Sequence, residues 1–450
     1  MIVYILIVSF ILRFVLLNQS FWLDEGISAI TAAKPFPFQW TGIYGDFQPP
    51  LYYLILRLYM YIPYWSEWFL RLPSVFFGVA TVGVLYLFTK EKFGGRIALI
   101  SSLLLSISQF HIYYSQELRM YSLLGLLALL SMWLFSRQKW ILLAIVSILG
   151  IYTNYMFFLT FVPQFIWLFY KYRNDGKIWK KWGLFILVVL LCFIPWCQNF
   201  SKQILSGRNL TEAFPSWSNI SSPPFWRLIP QIFLKFTMGR ISLDNKYVYG
   251  GIFFSLFAFF VYIFWNLKKT RNDNVNYVIN WLVSPLISGI FISFFMPIAG
   301  VWRLIFLLPP FLLLVAVSIV KMKYFKLVFG ILIALSLMSV VIYWFIPKYQ
   351  REQWRQAVSF IEMTDDPVIF VTEDGFAPYT WYRKKDKLVC GQATNEECLK
   401  SKNVYFVSYL EDLFDQKKTI ENRIKKSNFH VSDVKDFPGV GFVYHYENSN

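Results

Sequence analysis

Charged side chains are scarce in this sequence. Only 15% of its 450 residues are charged, whereas 57% are hydrophobic and the mean hydropathy is positive, at +0.47. A chain of this composition is not a purely soluble protein, because apolar runs of about 17 to 22 residues recur along it and match the length that crosses a bilayer. The composition therefore predicts a polytopic membrane protein.

Histidine is rarer still. The sequence contains three histidines, and they are far apart: His111, His430 and His445. Structural zinc sites are built from closely spaced His and Cys ligands, and no HxxxH or CxxC pattern occurs here. The sequence gives little support to a structural zinc site.

Cysteine is limited to four residues. Cys192 and Cys197 fall in an apolar run, so we expect them to be buried apolar side chains. Cys390 and Cys398 bracket the polar stretch GQATNEE near the C-terminus. A disulfide between them depends on an oxidising compartment, which the sequence does not identify, and the pairing stays open at this point.

The N-terminal apolar run lacks the basic segment and small-residue cleavage site of a signal peptide, so we interpret it as a retained first helix. Further runs follow it, and together they predict about eleven membrane spans. The predicted spans are 2–18, 71–89, 97–113, 119–135, 140–154, 156–170, 183–198, 249–266, 277–295, 302–320 and 327–346.

Basic residues are concentrated in the short loops on one side of these spans. The loops are KEKFGGR, SRQK, KYRNDGKIWKKW, KKTRND and KMKYFK. Because short cytoplasmic loops are rich in Lys and Arg, this pattern predicts a cytoplasmic N-terminus and an extracytoplasmic C-terminus in the plasma membrane. The net charge of +17 then reflects anchoring at the cytoplasmic face. Nucleic acid is not an expected partner, since no soluble basic domain is present.

The sequence changes character near residue 347. Up to that point it predicts a membrane domain, 1–346, with extracytoplasmic loops at 19–70, 111–118 and 199–248. Beyond it, segments such as NVYFVSYL and GVGFVYHYE have strand character, and REQWRQAVSFIEM and LEDLFDQKKTIENRIKKS have helical spacing. Alternating strands and helices predict a small extracytoplasmic α/β domain over 347–450.

Charged residues also lie at span ends on the extracytoplasmic side, where a bilayer edge disfavours them unless they have partners. Each one alone could be a solvated acid, a structural ion pair or an arginine reaching the headgroups. Together they could bind an anionic lipid headgroup whose tail lies in the membrane. These residues are Asp24, Glu25, Asp46, Glu117, Arg119 and Arg303.

Several of these residues lie in motifs that resemble a known superfamily. The motifs are LDEGISAI, GDFQPPLYYLILRLY, SEWFLRLPSVFFGVATVGVLYLF, HIYYSQELRMYSLL and WRLIFLLPPFLLL. Their order and spacing resemble the GT-C polytopic membrane glycosyltransferases, in the family 39-like branch related to protein O-mannosyltransferases and aminoarabinose transferases. The resemblance implies an α-helical membrane fold with a small extracytoplasmic domain.

The resemblance also implies roles for individual residues. Asp24 matches the catalytic carboxylate, with Glu25 beside it, and Asp46 matches the second acid of the first loop. Glu117, Arg119 and Tyr121 match a motif near the donor. Arg303 matches an arginine of the late-span motif and is a candidate to contact the lipid-linked phosphate. Gln48 departs from the pattern, because relatives often have a basic residue or His before the Pro-Pro pair.

The function implied is transfer of a sugar, with inversion, from a polyprenyl-phosphate donor to a hydroxyl of a lipid, glycan or protein acceptor. A carboxylate would take the proton of the acceptor, and arginines would stabilise the departing phosphate. A divalent cation held by Asp24, Asp46 or Glu117 is left open. Two alternatives remain, a lipid-linked glycan flippase or transporter and a membrane-anchored glycan-assembly binding protein.

Overall fold

The computed structural model describes residues 1–34, 47–213, 223–295, 300–372 and 375–448. The part up to residue 346 is helical, with short 3-10 segments at Tyr155–Thr160, Ile194–Trp196 and Val301–Leu307. Its α-helices are α1 (Ile2–Phe14), α2 (Leu23–Ala33), α3 (Leu51–Tyr59), α4 (Glu67–Phe93), α5 (Gly95–Ser106), α6 (Gln109–Ser115), α7 (Tyr121–Ser136), α8 (Trp140–Ile151), α9 (Phe161–Lys171), α10 (Gly176–Phe193), α11 (Cys197–Ala213), α12 (Phe225–Met238), α13 (Lys246–Trp265), α14 (Leu267–Thr270), α15 (Asp273–Ser293), α16 (Leu308–Val320) and α17 (Phe325–Phe345).

Six helical segments within the described ranges are long and apolar enough to cross a membrane. They are Glu67–Phe93, Gly176–Asn209, Lys246–Thr270, Asp273–Ser293, Val301–Val320 and Phe325–Phe345. A bent pair, α5 and α6, meets at 62° and makes a seventh if the two form one span. The shorter apolar helices α1, α7 and α8 coincide with other predicted spans. The helical, multi-pass membrane class is therefore confirmed, whereas the total of about eleven spans stays a prediction.

Local sequence explains where several of these helices begin. Asp175 accepts hydrogen bonds from the first backbone amides of α10, and Asn245 does the same for α13. Asn272 caps α15 through the amide of Val275. Such caps satisfy amides that have no partner within the helix. Among the six candidate spans, the one that contains α16 is the most enclosed, because its apolar side chains are buried on nearly all sides by neighbouring helices.

The C-terminal part contains a five-stranded mixed sheet in the order β2-β1-β3-β5-β4. β2, β1 and β3 are parallel, and β5 and β4 are antiparallel to their neighbours. Its elements are α18 (Trp354–Ile361), β1 (Val368–Ile369), α19 (Ala377–Tyr382), β2 (Val389–Cys390), α20 (Asn395–Cys398), β3 (Asn403–Val407), α21 (Glu411–Phe414), α22 (Thr419–Lys426), β4 (Phe429–Phe437) and β5 (Gly441–Asn448).

The helix predicted over LEDLFDQKKTIENRIKKS is divided into α21 and α22. Lys418, between them, has a left-handed backbone conformation, and the Asp415 carboxylate accepts hydrogen bonds from the amides of Thr419 and Ile420 at 2.9 Å each. Asp415 therefore starts a new helix. The strand β4 was not predicted from the sequence, because its interior residues are exposed and largely polar.

The cysteines behave in two ways. Cys390 and Cys398 form a disulfide, with their Cα atoms 6.2 Å apart, as the open hypothesis allowed. Cys192 and Cys197 are exposed at the protein surface, so the expectation that they are buried is wrong. An apolar run in a membrane helix places side chains on all faces, and hydrophobicity alone does not distinguish a face covered by protein from one that is not.

The sheet packs against the helical part through α2 and α4. A Cβ atom at Gly26 of α2 would lie 2.8 Å from the backbone nitrogen of Pro378, so these two backbone segments approach closely. Glu67 at the start of α4 accepts hydrogen bonds from Arg355 at 3.0 Å and from the Tyr382 hydroxyl at 2.8 Å. These contacts place the C-terminal part beside residues 22–25.

Candidate functional site

Two adjacent carboxylates begin α2 and lie in opposite environments. Asp24 and Glu25 occupy the first helical turn, where negative charge is favoured by the helix dipole. Consecutive residues of an α-helix point about 100° apart, so the two side chains cannot face the same point. Glu25 is fully buried, whereas the side chain of Asp24 is 30% exposed.

Glu25 is held by Arg71 of α4. The Nε of Arg71 donates to Oε1 at 2.8 Å and its Nη2 donates to Oε2 at 2.6 Å, and the amide of Leu118 donates to Oε1 at 2.8 Å. Burial acts to raise the pKa of Glu25, but the Arg71 and Arg351 guanidiniums outweigh it and hold that pKa below its ordinary value. Glu25 is thus a charged, closed link between α2, α4 and the segment before α7.

Asp24 has a looser arrangement. Its Oδ2 lies 3.7 Å from Nη2 of Arg119, which is 3% exposed. Arg119 also donates to the hydroxyl of Ser28 at 3.2 Å and to the hydroxyl of Tyr53 at 3.3 Å. The guanidinium is therefore fixed by neutral groups, while the carboxylate beside it stays accessible. Such a carboxylate can exchange partners without unfolding the helix.

Glu117 is fully buried a short distance away. Nε1 of Trp22 donates to its Oε1 at 3.1 Å, and Nη1 of Arg351 lies 3.6 Å from its Oε2. Burial raises the pKa of Glu117 to about 7, even though Arg351 acts in the opposite direction. Among the described residues no donor makes a direct hydrogen bond to Oε2. Glu117 is therefore a carboxyl that can change protonation near neutral pH.

Tyr121 and Arg303 complete the group of predicted residues that the structure brings together. Tyr121 begins α7 and is 3% exposed, and Arg303 lies in the 3-10 segment that packs against α7. Arg119 and Arg303 both lie within electrostatic range of the Tyr121 hydroxyl, as do the carboxylates of Asp24 and Glu117. Two cations thus converge on one wall of the site.

Of the two residues singled out in the first loop, the structure describes only one. Asp46 lies outside the described residues. Gln48 is 7% exposed, and its side-chain oxygen accepts a hydrogen bond from Asn154 at 2.9 Å while its backbone oxygen accepts one from Gln203 at 3.0 Å. Gln48 therefore links the chain before α3 to the start of the 3-10 segment Tyr155–Thr160 and to α11.

Sequence reasoning missed three arginines beside this site. Arg71 binds Glu25, and Arg351 and Arg240 both stack on the Tyr113 ring, with their guanidinium carbons 3.7 Å and 4.2 Å from its centroid. The sequence did contain a signal that Arg71 belongs to the site, since a charge at the start of an apolar helix needs a partner. Arg240 and Arg351 lie in segments outside the spans, where many basic residues are simply solvated.

A buried network positions the segment that carries Glu117 and Arg119. Arg13 of α1 is fully buried and donates to Ser9 and to the backbone oxygen of Ser106 at 3.1 Å, with the His111 ring also in contact. Gln116 donates to the backbone oxygen of Arg13 at 3.0 Å and accepts from the Tyr343 hydroxyl at 2.9 Å. α1, α6 and α17 thus fix the residue that precedes Glu117.

The metal hypothesis finds no support in these contacts. No three His, Cys, Asp or Glu side chains gather in a way that could hold a metal ion within the part of the chain that is described. Of the three predicted ligands, Glu117 is engaged by Trp22 and Arg351, Asp24 adjoins Arg119, and Asp46 lies outside the described residues.

Comparison with known proteins gives matches at two levels. A family model described as dolichyl-phosphate-mannose-protein mannosyltransferase matches residues 47–198. No curated protein sequence matches the chain. Among solved structures, ArnT from Cupriavidus metallidurans in the apo state is similar with a TM-score of 0.62 and 11% identity, covering 99% of this chain and 97% of that one.

Two further structures are similar with lipid carriers present. ArnT from Cupriavidus metallidurans bound to undecaprenyl phosphate gives a TM-score of 0.63 at 12% identity, covering 100% of this chain and 98% of that one. The oligosaccharyltransferase AglB from Archaeoglobus fulgidus, in complex with an inhibitory peptide and a dolichol-phosphate, gives 0.52 at 12% identity, covering 98% and 74%. The resemblance stated from the sequence is thereby confirmed, and the chain has the fold of these solved structures.

Proposed function

We propose that this protein is an inverting glycosyltransferase that moves a sugar from a polyprenyl-phosphate donor to an acceptor hydroxyl on the extracytoplasmic face. The observation that carries the proposal is the contrast at the start of α2. Asp24 is the accessible carboxylate of the pair and lies 3.7 Å from a buried arginine, whereas Glu25 is closed off by Arg71. An acid and a fixed cation side by side suit transfer to a hydroxyl with a phosphate leaving group.

The chemistry follows from these residues. An acceptor hydroxyl is a poor nucleophile, so Asp24 takes its proton as the oxygen attacks the anomeric carbon. The bond from that carbon to the phosphate oxygen breaks on the opposite face, which inverts the configuration. The departing lipid phosphate becomes more negative, and Arg119 and Arg303 stabilise it. Glu25 holds the loop in position and takes no part in proton transfer.

The comparisons support the nature of the donor. ArnT is described as bound to undecaprenyl phosphate, and AglB as bound to a dolichol-phosphate. Both carriers are polyprenyl phosphates, which place a phosphate at the membrane edge and a long tail in the hydrocarbon. The arginines beside Tyr121 lie at the ends of apolar helices, where such a phosphate would be held.

The test is sugar transfer by purified protein from a radiolabelled polyprenyl-phosphate sugar. Asp24→Asn keeps the shape of the side chain but cannot accept the proton, so the initial rate should fall about 10²-fold or more. Asp386→Asn, which changes an exposed carboxylate of the C-terminal part, is the matched control and should keep the wild-type rate. A folded Asp24→Asn protein with a near-normal rate would remove Asp24 as the base.

The same assay separates the two alternatives. A flippase would move the labelled lipid across a vesicle membrane without releasing its sugar, and a binding protein would do neither. Release of sugar by wild type and its loss in Asp24→Asn is expected only of the transferase. Donor binding by Asp24→Asn should persist, because Arg119 and Arg303 remain in place.

We also propose the orientation that this reaction requires. The protein lies in the plasma membrane with its N-terminus in the cytoplasm, and residues 347–450 form the extracytoplasmic domain. A reporter that is active only in the cytoplasm, fused after Asn450, should be silent. A strong signal from that fusion would place the sheet on the cytoplasmic side and overturn the orientation.

A further inference from the structure

A groove of about 940 Å³ lies on the C-terminal sheet, between the turn that precedes α21 and the hairpin that joins β4 to β5. Its floor is formed at one end by Glu352, which directly follows Arg351 of the site. Gly439 in the hairpin has a positive φ, and a Cβ there would lie 2.8 Å from the Glu352 side chain. The hairpin is thus packed tightly onto the floor and gives the groove a fixed wall.

Glu352 connects the groove to the start of α2. The Glu352 carboxyl accepts hydrogen bonds from Trp354 at 2.8 Å, from the Tyr409 hydroxyl at 3.1 Å and from the amide of Leu23. Leu23 directly precedes Asp24, and Asp24 lies within electrostatic range of both Glu352 and Tyr409. A molecule that fills this groove therefore contacts Glu352, which is hydrogen-bonded to the residue before the carboxylate that we assign as the base.

The lining combines an aromatic face with carboxylates. Phe442 lines the groove and is 47% exposed, although it is a large apolar residue. Asp412 and Asp436 are exposed at the rim. Glu411 has one carboxylate oxygen, Oε1, that is buried and accepts no hydrogen bond from the described residues. Lys348, the one basic residue of the lining, is already paired with Asp244.

We infer that this groove binds a glycan, neutral or carrying amino sugars, as the acceptor of the reaction. A sugar ring presents an apolar face that packs on an aromatic side chain. Its hydroxyls donate hydrogen bonds, and carboxylates accept them. The carboxylates of Glu411, Asp412 and Asp436 beside one paired lysine disfavour a phosphate-rich or uronic acid acceptor by like-charge repulsion. The role of the glycan as acceptor rests on the proposed function, whereas its binding does not.

The experiment measures binding of three oligosaccharides to the full-length protein in nanodiscs, without donor, by saturation-transfer NMR and titration. The probes are maltotetraose, a glucosamine tetramer and tetragalacturonate. Phe442→Ala should weaken binding of the first two about 10-fold, since it removes the aromatic face on which a sugar ring packs. Met363→Ala is the matched control, because Met363 is 69% exposed in the turn that follows α18 and lies outside the groove.

A second variant tests the charge argument. Combined Glu411→Gln and Asp412→Asn should weaken the glucosamine tetramer more than maltotetraose and should admit tetragalacturonate. The inference is overturned if none of the three probes binds, if tetragalacturonate binds wild type as well as the glucosamine tetramer does, or if Phe442→Ala leaves binding unchanged.

Sugar release from the labelled donor is measured on the same samples. Release without glycan binding would overturn this inference and leave the proposed function standing. Glycan binding without any release of sugar would support this inference and contradict the proposed function.

Discussion

Neighbouring residues at the start of α2 form two ion pairs of different kinds. Glu25 and Arg71 are both almost fully buried and joined by two hydrogen bonds of 2.6 and 2.8 Å, whereas Asp24 is 30% exposed and lies 3.7 Å from Arg119. The first pair has no room for a third molecule. The second has an accessible carboxylate beside a cation that is fixed by Ser28 and Tyr53.

The difference between the two pairs suggests a structural role for the buried pair and a chemical role for the accessible one. A buried ion pair loses hydration that its mutual attraction only just repays, but removing one partner leaves an uncompensated charge. Such a pair therefore has a structural role, and Arg71 also donates hydrogen bonds to three backbone oxygens, those of Leu17, Gln19 and Ser20. An accessible pair contributes less to folding, and its carboxylate stays available to a substrate.

The largest expected effect breaks the buried pair. Glu25→Gln leaves the Arg71 charge without its partner and should lower the free energy of unfolding by about 3–5 kcal/mol. Asp24→Asn is the matched change one residue away and should leave stability close to wild type. Thermal melts of both variants in detergent measure the difference. Equal melting temperatures for the two variants would show that the buried pair does not hold the loop.

The pH dependence of stability sharpens the same comparison. Because burial raises the pKa of Glu117 to about 7 from 4.5, the native state holds a proton that the unfolded state has released between these values. Stability should therefore fall as pH rises from about 5 to 8, by on the order of 2–3 kcal/mol. Glu25, whose pKa is lowered, should lose its contribution only as pH falls below about 4.5.

Melts of wild type and Glu117→Gln between pH 5 and 8 measure this slope. Glu117→Gln should have a flatter profile, and Glu396→Gln, a change at an exposed carboxylate of α20, should keep the slope of wild type. Burial also raises the pKa of Glu352 to about 7, so some slope should remain in Glu117→Gln. An unchanged profile in Glu117→Gln would contradict the assignment.

The next effect concerns Arg303, one of the two arginines near Tyr121. Arg303→Lys keeps the charge but loses the planar pair of donors that holds a phosphate, so the KM for donor should rise about 10-fold. Arg227→Lys, at an exposed position of α12, is the control. If Arg303→Lys matches wild type at limiting donor, Arg303 contacts lipid headgroups and not the donor.

The smallest expected effect tests how the accessible pair is fixed. Tyr53→Phe removes the hydroxyl that lies 3.3 Å from Arg119 while keeping the ring. A neutral hydrogen bond contributes about 0.5–1.5 kcal/mol, so the rate of transfer should fall about 2- to 10-fold. Tyr59→Phe, a half-buried tyrosine on the same helix, is the control. A Tyr53→Phe enzyme with full rate would show that the Tyr53 hydroxyl is not needed to position the guanidinium.

Much of the fold was accessible from the sequence. Apolar runs predicted where membrane helices lie, because lipid requires each crossing segment to satisfy its own backbone hydrogen bonds. Strands β1, β2, β3 and β5 lie in segments with strand character, whereas the polar, exposed β4 gave no such signal. The division of α21 from α22 was missed because the capping carboxylate of Asp415 overrides a continuous helical pattern.

For the site, the sequence by itself determined which residue types are present at the span ends and that Asp24 and Glu25 must point apart, since the geometry of a helix turn fixes the angle between neighbours. Only the tertiary structure decided which acid is enclosed and which is accessible. That choice depends on Arg71, Arg119 and Arg351, which arrive from distant parts of the chain. Burial and ion pairing are properties of the packed arrangement, and residue spacing within one segment does not encode them.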